Sequence, residues 1–95
     1  MAAVYCVLDL RKKGFAYGRI GEHDKAKDCF DRAVLIYEQI IPFDKAIDTD
    51  FAYALNSKGY YLITYSPEKY HKEAIECFDR AINIFHIHIT TKVLF

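Results

Sequence analysis

Apolar residues recur along this chain at alternating intervals of three and four. Val7, Leu10, Gly14 and Tyr17 step in this way, as do Ala26, Phe30, Ala33, Tyr37 and Ile40. The same steps return in Ala52, Leu55, Gly59 and Leu62, and again in Ala74, Phe78, Ala81 and Phe85. This is the stripe of an amphipathic α-helix, and the period-2 alternation of a half-buried strand does not fit it. Four helices are predicted, at about 2–20, 23–41, 48–65 and 67–87. Gly21, Pro42 and Ser66-Pro67 supply the breaks, with Asp24, Asp48 or Thr49, and Ser66 as N-caps. Residues 86–95 are apolar and β-branched, which leaves both helix and strand open there.

The four helices are two copies of one pair. Asp28-Cys29-Phe30-Asp31-Arg32-Ala33-Val34 matches Glu76-Cys77-Phe78-Asp79-Arg80-Ala81-Ile82 at an offset of 48 residues, and His23 and Ala26 match His71 and Ala74. Upstream, Leu10 and Lys13-Gly14-Phe15 match Leu55 and Lys58-Gly59-Tyr60 at an offset of 45. The difference of three residues places an insertion in the second copy, and the stretch 64–69 is its natural seat. Gly14 and Gly59 sit mid-helix, where glycine costs roughly 1 kcal/mol against alanine. Their recurrence predicts close helix approach, with Ala26 and Ala74 facing them and Phe30 and Phe78 filling the space alongside. The chain is thus expected to be a single domain over 1–95, with repeat one at about 2–41, repeat two at about 48–89 and an apolar tail at 90–95.

Composition narrows the function. Thirteen basic residues balance 13 acidic ones, so the chain lacks the basic excess of a general polyanion binder. No apolar run approaches the length of a spanning helix, which argues against a membrane. The start lacks the basic leader of a signal peptide. Three cysteines, Cys6, Cys29 and Cys77, cannot pair completely; they point to reduced thiols in a cytoplasmic protein and to small buried hydrophobes. His86 and His88 would diverge on a helix and have no third ligand nearby, so no metal site and no cofactor are expected. No phosphate-binding glycine loop, nucleophile elbow or zinc-protease motif occurs, and the enzyme reading falls away. Arg11-Lys12-Lys13 with Arg19, interleaved with Phe15 and Tyr17, is a mixture that single-stranded nucleic acid can use, but Asp9, Glu22 and Asp24 stand beside it.

The doubled pattern resembles the tetratricopeptide repeat. Leu10, Gly14, Tyr17, Ala26, Phe30 and Ala33 fall on that family's signature positions, as do Leu55, Gly59, Leu62, Ala74, Phe78 and Ala81 in the second copy. Departures are Leu10 and Leu55 for the usual Trp, Lys13 and Lys58 for Leu, and a period of 48 against the family's roughly 34. The longer period is similar to the variety found in kinesin light chains. The resemblance implies an all-α fold, two antiparallel helical hairpins stacked as a short right-handed α-solenoid. It also implies a non-catalytic module that holds a peptide or helix of a partner protein in a concave groove. Carried over residue by residue, the groove positions are Arg11, Phe15 and Arg19 in the first copy and Tyr53, Asn56 and Tyr60 in the second. The paired Lys and Asn clamp of chaperone-tail binders does not transfer, because Phe15 stands where an Asn is needed. Both ends of the chain are apolar, which points to a self-associating structural module or a part of a longer scaffold as the alternative. A nucleic-acid or signalling-peptide sensor is the third reading.

Overall fold

The computed structural model describes residues 2–40 and 47–94, with side chains over 6–40 and 47–87. Its elements are α1 (Ala2–Arg19), α2 (His23–Ile40), α3 (Asp48–Tyr65) and α4 (Pro67–Leu94). Among the described residues there is no strand. The open question at residues 86–94 resolves as helix: α4 continues through the β-branched run to Leu94. Pro42, expected to end α2, lies outside the described residues.

The breaks work by different means. Gly21 has φ +82°, a left-handed conformation that L side chains rarely adopt. With Glu22 N–H bonded to the Tyr17 carbonyl at 2.9 Å, it closes the end of α1 and turns the chain into α2. At the second hairpin Ser66 alone separates the helices, and Pro67 is the first residue of α4. The extra residues of the second copy therefore lengthen the helices and do not enlarge the turn. Two caps differ from expectation. Asp24 falls inside the first turn of α2. Ile47, with no side-chain hydrogen bond, holds the cap position of α3, and Asp48 and Asp50 stand in the first turn. Carboxylates there act on the helix dipole and not as caps.

α1 packs on α2 and α3 on α4, each pair a hairpin; α2 then packs on α3, and α1 touches α3 more lightly. The principal extents of 45 × 31 × 17 Å match two layers of helices. The predicted stripes are the inner faces. Val7, Leu10, Ala26, Phe30, Ala33, Tyr37, Ala52, Leu55, Leu62, Ala74 and Ala81 are buried, and Tyr17, Phe78 and Phe85 are half-buried beside them. A methyl group at Gly14 would lie 2.8 Å from Phe30 Cε2, and one at Gly59 would lie 2.9 Å from Phe78 Cε1. Each glycine is thus the notch for the phenylalanine of its own repeat. Cys29 and Cys77 are buried hydrophobes, but Cys6 is exposed, contrary to expectation. It lies on the outer side of α1, uncovered by the other described helices.

Lys58 shows why a lysine can replace the family's leucine. Its ammonium, mostly buried, lies 2.8 Å from Asp31 and 2.9 Å from Glu73. Lys27 meets the same carboxylates at 2.9 and 3.5 Å. Burial pulls the Lys58 ammonium toward the neutral form, but its hydrogen bonds to Asp31 and Glu73 win, so its pKa is raised above the ordinary 10.5. Two cations and two carboxylates thereby tie α2, α3 and α4 together.

The resolved shifts share one direction. Burial raises the thiols of Cys29 and Cys77 above 9.0 and the phenols of Tyr37 and Tyr61 above 10.0. Lys27 and Lys58 stand above 10.5 once their carboxylate partners outweigh desolvation. A group whose pKa is higher in the folded chain binds more protons there than in the unfolded chain, so stability falls as pH rises through that region. The thermal midpoint is expected to be level from about pH 7 to about pH 8.5 and to decline above about pH 9. A midpoint that climbs over that alkaline range in a pH series of melting curves contradicts this.

Candidate functional site

α1 and α3 present their outward residues on one side of the molecule. The expected groove positions lie on this side but do not behave alike. Phe15 is 36% exposed and packs edge-on over Phe30, with ring centroids 4.9 Å apart at 76°. Tyr60 is 59% exposed. Tyr53 is exposed and leans edge-on against Phe85 at 5.3 Å. Arg19 and Asn56 are exposed. Arg11 is half-buried, and its Nη2 donates to Ser57 Oγ at 2.7 Å. Its guanidinium therefore joins α1 to α3 from within.

Three of the six expected residues, Phe15, Arg19 and Tyr60, come together around one hollow of about 500 Å³. Gly18, His23, Tyr61, Thr64 and Tyr65 complete the lining. Arg11, Tyr53 and Asn56 do not line it. The volume lies within the range of ordinary ligand sites and is large enough for a side chain or two of a peptide.

The floor of the hollow is an aromatic stack held by one hydrogen bond. The Tyr61 hydroxyl and His23 Nδ1 lie 2.5 Å apart. The His23 ring stacks on Tyr65 with centroids 3.7 Å apart and an interplanar angle of 19°. Tyr61 in turn lies 5.2 Å from Phe30 and 6.0 Å from Tyr65. Gly18 makes this possible: a methyl group there would stand 2.7 Å from Tyr61 Cε2. A side chain at position 18 would push the second hairpin away from the first. Arg19 is the cation at the rim, a planar donor fork suited to carboxylates.

The sequence pattern does not mark Gly18, Tyr61, Thr64 and Tyr65 because none of them repeats, whereas His23 does repeat, as His71. The counterparts of Gly18 and Tyr61 are Ile63 and Ala16, so aligning the copies hides them. His23 and His71 hold matching places in the two copies, yet Tyr61, the partner of His23, is unique to the second. The one available signal was the i, i+4 spacing of Tyr61 and Tyr65, which puts two aromatics on one helix face.

Among the described residues no three His, Cys, Asp or Glu side chains gather as a metal set. Also among them, no helix is long and apolar enough to cross a membrane.

The tetratricopeptide repeat family model matches residues 12–40 and 52–85. These segments fall on the α1–α2 and α3–α4 hairpins and together span more than half of the chain. Repeats of this family are generally protein–protein interaction modules. The match does not separate the long-period variety from the rest of the family. No curated protein and no solved structure matches the chain. A duplicated Gly–Phe notch, four helices in two hairpins and a family match over both of them lead to one conclusion: the chain belongs to the tetratricopeptide repeat family.

Proposed function

We propose that the α1–α3 side binds a peptide segment of a partner protein, and that the hollow beneath Phe15 and Tyr60 takes its anchoring side chain. The observation that supports this reading is the cluster of aromatic faces left uncovered there. Tyr60 is 59% exposed, Tyr65 43% and Phe15 36%, around a hollow of about 500 Å³. Exposed aromatics gathered around a concavity mark interaction surfaces, because they bring contact area at small entropic cost. Arg19 on the rim selects an acidic group beside the anchor. The peptide class is therefore an aromatic or aliphatic residue flanked by Asp, Glu or a terminal carboxylate. Tyr53 and Asn56 lie farther along α3 and extend the track for such a segment. No step here calls for catalysis, and the proposed role is non-catalytic.

The test is selection of a random peptide library displayed on phage against the full chain, with binding measured afterwards on synthetic peptides. Enriched peptides are expected to carry an apolar anchor next to an acidic residue. Tyr60→Ala or Arg19→Glu should weaken them at least tenfold, about 1.4 kcal/mol, with the helical circular dichroism unchanged. Peptides that bind both variants as well as they bind the parent chain would contradict the assignment.

A further inference from the structure

The junction between the hairpins is built from specific pairs. Lys58 of α3 lies 2.8 Å from Asp31 of α2. Tyr61 packs 5.2 Å from Phe30, and Phe51 lies 6.1 Å from Tyr37. Val34, on the same side of α2 as Asp31, is buried. Arg80 Nη2 of α4 donates to Glu38 Oε1 of α2 at 3.0 Å.

Because the chain is duplicated, each side of this junction has a counterpart that is left exposed among the described residues. On α4 the counterparts of Lys27, Asp31 and Val34 are Ile75, Asp79 and Ile82. All three are exposed, Ile82 at 63% although Val34 is buried. They lie at i, i+4 and i+7, one face of the helix. On α1 the counterparts of Phe51, Lys58 and Tyr61 are Cys6, Lys13 and Ala16. These too are exposed and share one face. Among the described residues neither Asp79 nor Lys13 takes an ion-pair partner.

We propose that the outer face of α4 in one copy docks the outer face of α1 in a second copy, head to tail, with Lys13 entering the place beside Asp79 that Lys58 holds beside Asp31. The occupant is a second copy because the same two faces, one step earlier in the duplication, already form the α2–α3 junction, and because the Lys58–Asp31 ion pair of that junction recurs with matching charges as Lys13 and Asp79. Ile75 and Ile82 then lose water against Ala16 and Cys6. The other junction pairs do not recur: Arg80 with Glu38 becomes Arg32 with His86, and Lys27 with Glu73 becomes Ile75 with Lys25. The contact between copies is accordingly weaker than the one within the chain, and reversible. It joins two different faces, so a pair of copies leaves one of each face free and association continues beyond two copies. The surface is distinct from the α1–α3 hollow, and this inference stands whether or not the hollow binds a peptide.

Sedimentation of the full chain from about 1 to about 300 µM, where modest interfaces associate, tests it by charge reversal. The parent chain is expected to gain mass steadily with concentration and not to stop at a dimer. Lys13→Glu alone and Asp79→Lys alone should each shift association to at least tenfold higher concentration, since each sets like charges against each other. Their equimolar mixture should associate again, because every alternating contact then pairs opposite charges. Both sites are exposed, so melting curves close to the parent's are expected for the two variants. A monomer at every concentration, a dimer indifferent to both reversals, or a mixture no more associated than its components overturns the proposal.

Discussion

Phe30→Ala is expected to cost about 3–5 kcal/mol, enough to lower the thermal midpoint by roughly 15–30 °C in a chain of this size. The ring is 1% exposed. It fills the notch at Gly14, supports Phe15 from below at 4.9 Å and meets Tyr61 across the hairpin junction at 5.2 Å. Its removal leaves a cavity bounded by three helices, none of which can collapse without moving the others, and that is where large-to-small costs are highest. Its repeat counterpart gives the internal control. Phe78 is only half-buried and borders open surface at the end of the stack, so Phe78→Ala is expected to cost roughly half as much, about 1.5–3 kcal/mol. Urea unfolding of both variants measures the difference. A Phe30→Ala penalty below about 1 kcal/mol would be incompatible with the packing described here. Total stabilities of single domains are about 5–15 kcal/mol, so Phe30→Ala removes a large share of what holds this one.

Tyr61→Ala is the second large effect, at about 3 kcal/mol. Tyr61 is the side chain through which the second hairpin grips the first. It is 7% exposed, stands over Gly18 of α1, touches Phe30 of α2 and shares a hydrogen bond with His23 at 2.5 Å. Tyr61→Phe separates the two parts of its role. The ring and its packing remain, the hydroxyl goes, and His23 loses a partner, so the expected cost is about 0.5–1.5 kcal/mol. The pair of variants also reads the site. In Tyr61→Ala the stack under the hollow is gone, and peptide binding should fail even at temperatures where the chain is folded. In Tyr61→Phe binding should persist, because the faces of Tyr65 and His23 stay where they are. Equal costs for the two substitutions, measured by chemical unfolding, would mean that the ring carries none of the junction.

The duplicated stripe made the fold legible, and the physical reason is specific. Gly14 with Phe30 and Gly59 with Phe78 are the same solution used twice, and a solution used twice stands out of a sequence with no alignment. Helix ends followed from single residues whose chemistry is local: Gly21 for the left-handed turn and Pro67 for the first turn of α4. The end of α4 was not legible, because β-branched residues favour strands only where there is a sheet to join, and the described residues offer none. The hollow was half legible. Phe15, Arg19 and Tyr60 follow from their place on the outward face of each first helix. Gly18, His23 and Tyr61 depend on how one hairpin meets the other, a relation between copies that no pattern within a copy encodes. Arg11 shows the converse. Its position is that of a groove residue, but Ser57 lies within reach and takes its guanidinium inward.

Glycine notches filled by aromatic rings hold the helices together, within each hairpin at Gly14 and Gly59 and between the hairpins at Gly18. Proton NMR of the full chain tests this packing most directly, through nuclear Overhauser contacts of the glycine α-protons. Contacts are expected from Gly14 to the Phe30 ring, from Gly59 to the Phe78 ring and from Gly18 to the Tyr61 ring, with ring-current shifts on all three glycines. A well-dispersed helical spectrum in which the Gly14–Phe30 and Gly18–Tyr61 contacts are absent would contradict this packing.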